Sequence, residues 1–115
     1  MLAHGALLRK NFFTVEQLLA VVADFRQAGL SEQEVALMTF AQKVIQHPGE
    51  ITEVDINALR AYDLSDEQVL DLVVVITARS FFSKTLDALK IQPDDVYKDL
   101  EPELIQALSI GRPFP

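Results

Sequence analysis

The chain has 115 residues, enough for one domain that buries about two thirds of the surface its unfolded form exposes. Half of the residues are hydrophobic and 23% are charged, a globular balance rather than a disordered one. There is no cysteine, which excludes a disulfide, a thiolate nucleophile and any Cys-based metal or cluster site within these residues.

The formal charge of -7 is uneven. Residues 1–47 carry four basic and four acidic side chains, and residues 48–115 carry six basic and thirteen acidic. So acidic a second half repels a phosphate backbone, and nucleic acid is not an expected partner. The N-terminal basic pair, Arg9-Lys10, follows the apolar residues instead of preceding them, which is not the order of a signal peptide. The best apolar run is broken by Asp71 and Arg79, well short of a membrane span of about 18 residues. The expectation is a cytoplasmic protein with no membrane partner.

In chain order, residues 1–10 read as the last turns of a helix, with Leu7 and Leu8 on its apolar side. Arg9 and Lys10 suit its C-terminal dipole. It carries no capping residue, whereas each later helix has one. Asn11-Phe12-Phe13 is a link, and Thr14-Val15-Glu16-Gln17 is a capping box that opens a helix to about Ala28, stopped by Gly29. Its buried stripe is Leu18, Leu19, Val22 and Phe25.

Ser31-Glu32-Gln33-Glu34 caps a third helix, with Val35, Met38, Phe40, Ala41, Val44 and Ile45 facing inward, that ends before His47-Pro48-Gly49. Thr52-Glu53-Val54-Asp55 caps a short fourth helix with Ile56, Leu59 and Ala61 inside. Pro93 and Pro102 open two further short helices, Gly111 ends the last, and residues 109–115 read as an irregular tail.

Between them lies the stretch around which the chain is organised, Ser65 to Lys90. Ser65-Asp66-Glu67-Gln68 is another capping box. The residues that follow contain no Gly or Pro, and at helical spacing their apolar side chains point almost all round the axis. A helix of that kind is buried on several sides. The valine run speaks for a strand, but the apolar pattern does not alternate and the segment is too long for one. Asp71 shares a stripe with Val75, Ala78 and Phe82, at spacings of four, seven and eleven. One small domain does not cover both faces of such a helix. The expectation is therefore a homo-oligomer whose interface is formed by Asp71, Val75, Ala78 and Phe82. The fold class is all-α: about six helices around a central buried helix, in a single domain spanning 1–115.

Leu30-Ser31-Glu32-Gln33-Glu34-Val35 is echoed by Leu64-Ser65-Asp66-Glu67-Gln68-Val69. Two copies do not make a repeat array, and these are two similar helix starts. His47 reads as a turn residue, and two histidines with no spaced carboxylates give no metal signature. Ser80 and Ser83 have no adjacent His for hydrolase chemistry. The phenylalanines form no cofactor box, so no cofactor is expected. Asp71 and Arg79, about 80° apart at 3.6 residues per turn, either line a pocket or pair with charges from a neighbouring helix or chain. Asp87 has Lys84 and Lys90 three residues away on either side, an ordinary surface network.

Three stretches together resemble the carboxymuconolactone decarboxylase and alkylhydroperoxidase D (AhpD) family, on its peroxidase-related side. The first is His4-Gly5-Ala6-Leu7-Leu8-Arg9-Lys10. The second runs from Glu34 to Leu72 and includes "ITEVDINALR" and "LSDEQVLDL", similar to the family's "ITEADVEALR" and "LSDEEILDLV". The third is Phe81 to Leu89, where Ser83 and Lys84 replace the family's usual Asn and Arg while Asp87, Ala88 and Leu89 match. The resemblance implies an AhpD-like helical bundle, an oligomer, and an antioxidant oxidoreductase that reduces hydroperoxides with a thiol reductant.

The family's chemistry resides in Cys-x-x-Cys-x-x-x-His, where one thiolate attacks the peroxide and the second Cys resolves the sulfenic acid. His4 matches the His of that motif, which implies a proton-relay role. The second Cys then falls one place before Met1, with the first Cys and an acidic relay residue further upstream. Two accounts stay open: translation begins upstream and the chain starts inside the catalytic helix, or the redox half has been lost and a non-catalytic oligomeric or partner-binding scaffold remains. On either account, these 115 residues are not expected to run a dithiol cycle alone.

Overall fold

Four hydroxyl residues start helices in the sequence, and at three of them a reciprocal capping bond forms. The Thr14 and Ser31 hydroxyls each accept the backbone N–H three residues on, at 3.2 Å, and Gln17 and Glu34 bond back to the cap N–H at 2.8 Å. Ser65 and Gln68 repeat this with the same distances. At Thr52 the Asp55 carboxylate accepts the cap N–H at 2.8 Å. These boxes satisfy orphan donors at helix starts.

The computed structural model describes residues 1–109, and every regular element among them is helical. The elements are α1 (Leu2–Asn11), α2 (Val15–Asp24), α3 (Glu32–Gln46), α4 (Glu53–Arg60), α5 (Asp66–Ala88) and α6 (Pro102–Leu108). Short 3-10 turns lie at Phe25–Gln27, Pro48–Glu50 and Asp95–Asp99. The fold class is all-α with six helices among the described residues. The chain groups into two compact units, one formed by residues 1–29 with those from 87 onward, the other by residues 30–86.

In the first unit, Leu2, Leu18, Leu104 and Leu108 form the core, and Phe13, Leu19, Val22 and Tyr97 pack against it. The buried face of α1 is Leu2 and Gly5, while Leu7 and Leu8 are exposed, which corrects the apolar side read from the sequence. The cause is close approach: a Cβ on Gly5 would collide with the side chain of Leu108, so this turn of α1 packs directly on α6. Arg9 clamps the same pair of segments by donating to Glu101 at 2.9 Å. α2 ends at Asp24, short of Ala28, because the Asp24 carboxylate accepts the Arg26 N–H and turns the chain into a 3-10 segment. α6 ends at Leu108. The stop expected at Gly111 and the irregular tail, Ser109 apart, lie outside the described residues.

In the second unit, Phe40 and Val44 of α3, Leu59 of α4 and Val69 of α5 form the core, ringed by Leu37, Ile56, Leu64, Leu72, Val73 and Ile76. Lys43 joins α3 to α4 through both oxygens of Asp55, at 2.9 and 2.8 Å. Ile45, expected inside, is exposed. α5 is not the centrally buried helix read from the sequence. Val69 is its one fully buried residue, and Leu70, Val74, Val75, Phe81 and Phe82 are exposed. Within the unit, α5 packs on α3 and α4 through Val69, Leu72, Val73 and Ile76 of its first three turns, and its exposed residues lie on the remaining faces. α5 also stops at Ala88, because Lys90 takes a φ of +56 and its N–H turns back to the Asp87 carbonyl.

Candidate functional site

The candidate site is the uncovered face of α5 with the groove beside it, both within the second unit. Asp71, Val75, Ala78 and Phe82 recur at helical spacing and are all exposed, Val75 at 66% and Phe82 at 53%. Val75 and Phe82 thus place two large apolar side chains in water on one helix face. Arg79 lies at the edge of this stripe, with its guanidinium 5.8 Å from the centre of the Phe82 ring, within cation–π range.

The groove is open and about 410 Å³ in volume. Gln33 and Leu37 of α3 form one wall, and Gln68, Asp71, Leu72 and Val75 of α5 form the other. Tyr62, Asp63 and Leu64 close its end. Asp63 turns the chain between α4 and α5 with a φ of +63, the left-handed conformation that Asp adopts more readily than most residues. Its N–H reaches the Arg60 carbonyl at 2.9 Å. The Arg60 side chain, in turn, bonds Asp66 at 2.9 Å and Asn57 at 2.7 Å. The Asp66 carboxylate holds the guanidinium charge more firmly than usual. This cluster fixes the start of α5, and so positions Gln68 and Asp71 at the groove.

Asp71 is one of the residues that line the groove. The four stripe residues read from the sequence are brought together on one helix face, and two of them, Asp71 and Val75, also line the groove. His4 belongs to the other unit, as an exposed residue of α1. Among the described residues, no group of three or more His, Asp or Glu side chains could hold a metal ion. No helix among them is long and apolar enough to cross a membrane.

The groove itself is not evident in the sequence, because its walls come from segments about thirty residues apart. The one local signal is Asp63, an Asx residue just past a helix end, where a left-handed turn is favoured.

No protein-family model matches the chain, and no curated protein matches it.

Proposed function

We propose that this chain is an AhpD-like helical protein of the carboxymuconolactone decarboxylase type whose own contribution is assembly. It associates with further copies of itself through α5. The carrying observation is the exposed apolar stripe of α5 in a chain without cysteine. Dithiol peroxidase chemistry needs a thiolate and a resolving thiol, and these residues supply neither.

The likeness of the Glu34–Leu72 and Phe81–Leu89 stretches to that family supports the reading, and a cytoplasmic setting goes with it. Where a cysteine pair is supplied from outside these residues, His4 is the proton relay, hydroperoxide the substrate and a thiol the reductant. Without one, the protein is a non-catalytic scaffold.

The purified chain, mixed with an organic hydroperoxide and a thiol reductant, is expected to give no turnover above buffer while light scattering reports a species larger than one chain. Turnover by the cysteine-free chain would overturn the chemical half of the reading, and a monomer at tens of micromolar would overturn the assembly half.

A further inference from the structure

The uncovered face of α5 is complementary to itself when it is reversed. Val75 is its midpoint. Asp71 lies four residues before Val75 and Arg79 four after; Gln68 lies seven before and Phe82 seven after. Asp71, Val75 and Gln68 line the groove, whose apolar walls include Leu37, Leu64 and Leu72. Arg79 and Phe82 form one unit through the contact of guanidinium and ring. One end of the stripe is therefore a groove with a carboxylate at its rim, and the other is a ring with a cation beside it.

We propose that α5 pairs antiparallel with α5 of a second copy about a two-fold axis at Val75. In that pairing Phe82 of the partner subunit enters the groove beside Gln68, and Arg79 of the partner subunit meets Asp71. The arrangement is isologous and closes on itself, with two grooves filled by two rings. It deepens the assembly reading above and rests on it. Antiparallel packing is selected over parallel by charge along the helix. Asp66, Glu67 and Asp71 lie before Val75, and Arg79 and Lys84 after it with one acidic residue, Asp87, in the last turn, so a parallel pair sets most like charges side by side. The antiparallel pair also opposes the two helix dipoles. Leu70, Val74 and Phe81 are exposed too, on the neighbouring stripe of the same helix, but they are not among the residues that line this groove.

The absence of cysteine makes the register directly testable. On a two-fold axis a residue meets its own copy, and helices packed about 8–10 Å apart bring equivalent Cα atoms into the disulfide range of about 4.4–6.8 Å. Under mild oxidation at tens of micromolar, Val75→Cys is expected to form a cross-linked dimer at least about tenfold faster than Val74→Cys, whose side chain points away from the axis.

In sedimentation velocity, Asp71→Arg and Arg79→Asp are each expected to weaken the dimer by about tenfold by setting like charges together. The double exchange is expected to return it to within about threefold of the parent chain. Circular dichroism of each variant separates lost pairing from lost helix. Faster cross-linking of Val74→Cys, or charge variants that dimerise like the parent chain, would overturn the pairing and leave self-association standing. A parent chain that stays monomeric would overturn both.

Discussion

Among the described residues, two with side chains hold left-handed backbone, and they differ in how well their chemistry suits it. Asp63 tolerates that conformation. Lys90 has no such local compensation at φ +56, and it sits just past the end of α5, where glycine is the favoured residue. Lys90→Gly is therefore expected to stabilise the fold by about 1 kcal/mol, by removing the steric cost of a Cβ in that region. Thermal melts should show a rise of a few degrees, and an unchanged or lower midpoint would mean that the Lys90 side chain contributes contacts of its own. This conformation was not evident in the sequence, since Lys is no turn signal. The same is true of Gly5, whose closeness to Leu108 is a contact between residues about a hundred positions apart.

Helix starts were legible and buried faces less so, for a physical reason. A capping box is a local device of four residues, and those at Thr14, Ser31 and Ser65 form as their spacing implies. Which face of a helix is covered depends on what packs there. Where apolar residues ring the whole axis, as in α5, periodicity carries no directional signal. Hence the stripe of Asp71, Val75, Ala78 and Phe82 was readable as a unit, whereas its position beside a groove was not.

Between α3 and α4 the decisive contact is Lys43 with Asp55. The Lys43 hydrogen bonds, then the Thr52 N–H, hold the Asp55 carboxyl below its ordinary range. A carboxylate with a lowered folded pKa contributes stability that is present above the unfolded value and is lost as pH falls through the folded one. Asp55→Asn is thus expected to be less stable than the parent chain at pH 7, with the gap narrowing as pH falls below about 4. Urea titrations of both chains at pH 7 and pH 3 measure it, and a gap independent of pH would show that the ionised form of Asp55 is not what joins the helices.

For the molecule as a whole, assembly sets an apolar face against a net charge of -7 per chain. Two such charges about 30 Å apart repel by roughly 2 kcal/mol at 0.01 M salt, where the screening length is about 30 Å. At 0.15 M, with a screening length of about 8 Å, almost nothing of that repulsion remains. Opposing this, the two Asp71–Arg79 contacts of the proposed dimer, each between an exposed aspartate and a half-buried arginine, contribute at most about 1 kcal/mol each, and lose only part of it over the same range. The repulsion is the larger salt-sensitive quantity, so dimerisation is expected to tighten as salt rises from 0.01 to 0.15 M, by up to about thirtyfold. Above that range the net repulsion is already screened, and only the local ion pairs continue to weaken. The affinity should then level off or decline slightly toward 1 M. Sedimentation equilibrium across that series decides between the two contributions. A dimer that weakens steadily from the lowest salt upward would mean that ion pairs, and not the apolar stripe around Val75, hold the copies together.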